Sequence, residues 1–195
     1  MRKTKCLLAV PAMLAIACQS PTQPSRSAAE IAASPASLGP GSGPPGASGG
    51  GHFLFSSTAD VRFNFTAVQT GNGSTAGNFF HSFEFGGLLI EFRGRVTCVS
   101  VDPAAGRAWI GGVVTENNST HPQFTTERTQ LGRDIWFRVV DYGESSSAPP
   151  DRTTIMGFEG DRGFITSTDY CAGQPWVDND VATHPVTQGD IQIRP

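Results

Sequence analysis

Lysine is confined to Lys3 and Lys5, only four cysteines occur, and helical hydrophobic periodicity is nearly missing from these 195 residues. Each shortage excludes something. Beyond residue 5 there is no amine to act as a nucleophile or Schiff-base former. No CxxC pair, GxSxG elbow, SxxK pair, HExxH helix, phosphate loop or dinucleotide glycine pattern is present, which removes the enzyme and cofactor classes that such motifs carry. The formal charge is −3, and no basic patch for nucleic acid is implied. On these grounds the chain reads as a non-enzymatic protein with no cofactor.

What is present begins with an export signal. Arg2, Lys3 and Lys5 precede an apolar run from Cys6 to Ala17 that is too short to span a bilayer, the build of a secretory signal peptide over residues 1–17. Ala15 and Ala17 satisfy the small-residue cleavage rule and place the cut before Cys18. The run Leu14-Ala15-Ile16-Ala17-Cys18 resembles the lipobox of bacterial lipoproteins, with Ile16 where a small residue is usual. That resemblance implies a lipidated Cys18, a membrane partner reached through the lipid, and a home at the bacterial cell envelope. Gln19 in place of an aspartate implies the outer membrane. A soluble secreted or periplasmic protein with a free N-terminal cysteine is the alternative. Without residues 1–17 the chain keeps 11 basic against 17 acidic residues, a formal charge of −6. Residues 18–51 comprise Cys18 and a Pro/Gly/Ser/Ala-rich stretch whose only charges are Arg26 and Glu30, too poor in apolar surface to offset ordering entropy. They read as a disordered tether with a reach of roughly 30 Å.

Residues 52–195 form one β domain. Nine of its thirteen phenylalanines fall between Phe53 and Phe92, so the densest core belongs to the first strands. Val61, Phe63, Phe65 and Ala67 alternate with polar residues, then Gly71-Asn72-Gly73 turns the chain to pair Phe65 with Phe79 and Phe63 with His81. Gly86-Gly87 suits a two-residue hairpin that pairs Phe85 with Leu88, Phe83 with Ile90 and His81 with Phe92. The long strand from Leu88 to Val101 follows. A five-residue loop from Asp102 to Gly106 predicts Cys98 opposite Ile110 and Val96 opposite Gly112. Residues 116–133 read as a polar excursion with a helical turn near Glu127, and Ile135, Phe137 and Val139 as another strand. Residues 154–158 and 164–168 read as a hairpin, and Val186 to Ile193 as the last strand. The fold class is all-β, an antiparallel meander of about eight strands, with an up-and-down barrel favoured over a two-sheet sandwich.

Cys98 and Cys171 are the only cysteines of the domain, and export favours a disulfide between them over a reactive or metal-binding thiol. Such a bond would restrict the unfolded chain by up to roughly 4 kcal/mol. His81 is expected inward as a hydrogen-bonded core histidine rather than a catalytic one. Asp141, Glu144 and Asp151 gather in one loop. Oxygen-rich loops can hold calcium or host hydrolysis, but turn formation accounts for these residues equally well. Trp109 and Trp136 are expected outward, beneath covering loops or a second sheet in preference to a partner.

Val96-Thr97-Cys98, Arg107 to Val113, Arg138 to Glu144 and Ala148 to Asp151, in this order, resemble an uncharacterised β-rich domain of exported bacterial proteins. The resemblance implies a bacterial, extracytoplasmic protein and brings no catalytic residue. Three functions follow in order of preference. The first is a binding module holding a small apolar ligand against Phe63, Phe65, His81, Phe83 and Phe92, with close backbone approach at Gly94 and Gly112 leaving the room. The second is a structural domain with a filled core that meets another envelope protein. The third is a hydrolase or calcium-dependent protein using Asp141, Glu144 and Asp151.

Overall fold

Val61, Phe63, Phe65 and Ala67 are buried and Arg62, Asn64 and Thr66 exposed along one strand, the period-2 pattern of a wall with one wet face. The computed structural model describes residues 43–195. Its strands are β1 (Gly46–Ser56), β2 (Ala59–Gln69), β3 (Thr75–Phe85), β4 (Leu88–Asp102), β5 (Arg107–Asn117), β6 (Asp134–Val140), β7 (Arg152–Thr154), β8 (Gly157–Phe158) and β9 (Thr183–Arg194). One α-helix, α1 (Ser167–Gly173), lies between β8 and β9. All pairings are antiparallel. Strands β1 to β7 pair in chain order, then β7 pairs with β9 and β9 with β1. Eight strands therefore close an up-and-down barrel, and no sandwich forms. Strand β8 resumes the line of β7 along β6 one residue out of step, with Ile155 and Met156 between them.

The two hairpins flanking β3 have the registers their turns predict, Phe65 opposite Phe79 and Phe83 opposite Ile90. The third hairpin departs from expectation. Val96 faces Gly112, but an irregularity before Cys98 sets Cys98 opposite Gly111 and Val99 opposite Ile110. One extra residue flips the remaining side chains. Val99 joins the interior core, and Cys98 turns outward to bond Cys171 of α1.

Two other expectations need correction. Residues 164–168 are not a strand, because Thr166 caps α1 through a capping box with Asp169. The barrel also begins earlier than residue 52. Gly46-Ala47-Ser48-Gly49-Gly50-Gly51, read as the end of a tether, is the first half of β1 and pairs with both β2 and β9. Its glycines allow close approach. A Cβ at Gly49 would lie 2.7 Å from the Asp190 carbonyl oxygen, and Gly51 holds a φ of +155°.

Outside the wall, α1 covers Trp109 and Trp136. These indoles pack with Tyr170, Phe164 and Trp176 in a second apolar cluster, the covered arrangement preferred from the sequence. Gly111 makes room for the helix, since a Cβ there would lie 2.6 Å from Ser167 Cβ and 2.7 Å from Cys98 Sγ. The Trp109 indole donates to the Pro175 carbonyl at 2.8 Å.

Candidate ligand-binding site

The interior is filled over much of its length. Phe63, Phe65, Phe79 and Phe92 are almost fully buried, and Phe137 packs edge-on against both Phe65 and Phe79. Gly94 and Gly112 do lie where backbone and interior come close, but the room they leave is taken by the Phe79 ring, which a Cβ at Gly94 would overlap. His81 is wholly buried beside Phe63 and Phe137, with ring centroids at 6.0 and 5.0 Å. Neither of its nitrogens has a hydrogen-bond partner among the described residues, contrary to expectation. Burial pushes its pKa down to about 3, so the ring is neutral at physiological pH.

Space opens at one end. Where β1 and β3 finish and β4 begins, Phe55, Phe83, Phe85, Ile90, Phe124, Met156 and Phe158 line a cavity of about 570 Å³. Phe124 comes from the short 3₁₀ turn Pro122–Phe124 of the polar excursion, and it closes one side by edge contacts with Phe83, Phe92 and Phe158. Phe55 and Phe85 are 38 % and 42 % exposed, so apolar surface remains open to solvent at this mouth. Arg128 and Asp161 pair with each other on the rim. Of the five residues expected to face a ligand, Phe83 lines this cavity, while Phe63, Phe65, His81 and Phe92 belong to the filled part.

The acidic loop lies at the other end and does structural work. Strand β7 is too short to cover β9, and two carboxylates complete the pairing. Asp151 accepts from the Ile191 and Tyr142 amides at 2.8 and 2.9 Å, and Asp141 from the Ile193 and Gly143 amides at 2.8 and 2.7 Å. Burial raises the Asp151 pKa, while those two amide bonds pull it down. Glu144 is exposed and stands apart from this arrangement. Each oxygen of Asp141 and Asp151 thus accepts one backbone amide, a structural use of both carboxylates. Cys18 lies outside the described residues.

A second cavity, of about 250 Å³, sits outside the wall between β6, β8, α1 and the loop before β9. Trp136, Tyr170, Trp176, Met156 and Arg162 contribute to its lining. The Tyr170 hydroxyl is buried without a partner among the described residues, and burial pushes its pKa up against the pull of the nearby Arg138 and Arg162. Arg138 is itself held by the carbonyls of Asp178, Asn179 and Val181. Three residues on this lining, Arg162, Trp176 and Ala182, have left-handed backbones with φ of 57°, 56° and 59°, each at a cost of about 1 kcal/mol. Sequence reasoning missed this site entirely. The one available signal was the capping box at Thr166, which places Tyr170. Compared with known families, curated proteins and solved structures, the chain finds no match.

Proposed function

We propose that this chain is a bacterial cell-envelope lipoprotein, anchored through Cys18, whose barrel is a non-enzymatic binding module that takes a small apolar ligand into its open mouth. The observation that carries the reading is the 570 Å³ cavity walled by phenylalanines, two of them partly exposed to water. Such a volume lies in the ~300–1,000 Å³ range of small-molecule sites, and covering exposed apolar area gains about 25 cal/mol per Å². The ligand enters at the rim instead of threading the barrel, because Phe79 and Phe137 fill the centre. The export signal and the disulfide support an extracytoplasmic home. Exposed Arg62, Asn64, Glu84, Arg93 and Arg95 make the outer face of β2 to β4 polar, unlike the lipid-facing band of a membrane-spanning barrel.

The test is uptake of the neutral apolar dye N-phenyl-1-naphthylamine by the exported full chain, with native and denatured masses compared on the same sample. Saturable uptake is expected in the wild type, weakened about tenfold in the double variant Phe55→Ser, Phe85→Ser, whose changes lie on the solvent side of the core. Absence of saturable uptake, together with no native excess mass, would sink the proposal.

A further inference from the structure

The cavity outside the wall has a different chemistry from the mouth. Its walls are largely aromatic, and two of the polar side chains on it, Tyr170 and Arg162, are donors left over by the fold. The Tyr170 hydroxyl is completely buried and bonds to nothing among the described residues. The Arg162 guanidinium is stacked over the Trp176 ring at 4.6 Å and makes no ion pair with a described residue. Gly157 lets the Trp136 indole lie against the backbone on this lining, since a Cβ there would overlap it. Asp161, the carboxylate on this lining, has both oxygens engaged, one by Arg128 and one by the Phe158 amide. Two donors, one of them cationic, therefore face a small, partly polar space whose one carboxylate is already engaged. A buried donor without an acceptor, as at Tyr170, is costly, and an anion is the group that would satisfy both it and the Arg162 cation.

We propose that this cleft binds the carboxylate of a small apolar acid, with Tyr170 and Arg162 donating to the carboxylate and Trp136, Trp176 and Met156 packing the body of the molecule. At about 250 Å³ the space falls below the usual range for drug-sized ligands and suits an acid of one ring. This site adjoins the barrel mouth, with Ile155, Met156 and Asp161 on both linings, but Tyr170 and Arg162 belong to it alone, so it stands whether or not the mouth holds a ligand. The left-handed backbones of Arg162, Trp176 and Ala182 place the two sides of the cleft, which is a reason for the chain to retain them.

The experiment is calorimetric titration of the full chain at pH 7 with benzoate, benzyl alcohol and benzamidine, the last two keeping the ring while removing or reversing the charge. Benzoate is expected to bind with a Kd of about 1 mM or tighter, and the other two at least about tenfold more weakly. Tyr170→Phe is expected to melt no lower than the wild type, because the hydroxyl makes no bond among the described residues, and to weaken benzoate about tenfold or more. Arg162→Gln is expected to weaken benzoate similarly and to abolish its preference over benzyl alcohol. Failure of benzoate to bind at about 10 mM would overturn the assignment. So would equal binding of the three probes, or unchanged benzoate affinity in a folded Tyr170→Phe variant.

Discussion

His81 carries two hydrogen-bonding nitrogens into a space walled by phenylalanine and satisfies neither among the described residues. Its folded pKa of about 3 lies below the ordinary 6.5, so the unfolded chain takes up a proton first as pH falls. Stability from this source is whole above about pH 6.5 and is lost on the way down to about pH 3, by up to about 1.4 kcal/mol per pH unit. Asp151 acts in the opposite sense over the carboxylate range, because its raised pKa makes ionisation favour the unfolded chain as pH rises. Thermal unfolding followed from pH 7 to pH 4 is expected to show a falling midpoint in the wild type and a flatter curve in His81→Leu. At pH 7 that variant should be more stable by roughly 1–3 kcal/mol, since two orphaned polar atoms disappear. A variant less stable than wild type at pH 7, with the acid slope intact, would mean that His81 has a partner after all. That His81 faces inward was legible from its place between Phe79 and Phe83. Its lack of a partner was not, because no local pattern states what stands opposite a core side chain.

Among the elements, β1 shows how a strand can exist without a strand signal. Its first six residues carry no side chain larger than serine, yet they pair on both edges, from Gly46 opposite Val68 and Arg194 to Gly51 opposite Phe63 and Gly189. The pairing supplies what side chains do not. A chain starting at residue 43 is therefore expected to fold and unfold cooperatively, while one starting at residue 52 loses half of β1 and opens the barrel between β2 and β9. Circular dichroism melts of the two would decide. A cooperative transition within a few degrees of the longer chain in the shorter one would show that these glycines are dispensable. The hairpins around β3 were readable because turn length and alternation are local properties. Helix α1 is seven residues long, too short to display a helical period, and its cap at Thr166 was masked by the alternation of Phe164, Thr166 and Thr168.

At the scale of the whole molecule, a closed barrel has a filled centre, an acid-sealed end and an apolar mouth, and the proposed anchor tethers it to a membrane. Cys18→Ser is expected to move the protein from the membrane fraction to the soluble one without changing its melting temperature. Unchanged fractionation would remove the anchor and leave the mouth proposal standing on its own evidence. The Cys98–Cys171 bond belongs to this scale too, because it ties α1 to the wall over a separation of 73 residues and so helps to shape the outer cleft.

The sequence by itself determined the all-β class, the inward faces of β2 and β3, the registers of the first two hairpins and the partner of Cys98. These follow from alternation, turn chemistry and the presence of only two cysteines in the domain, all of which are readable along the chain. Only the tertiary structure decided that the glycine run is a strand, that a bulge turns Cys98 outward, and that Asp141 and Asp151 complete β9. It alone showed that space remains at the mouth and outside the wall. Those outcomes depend on what a segment meets across the barrel, and a cavity is the volume that side chains from distant elements together fail to fill.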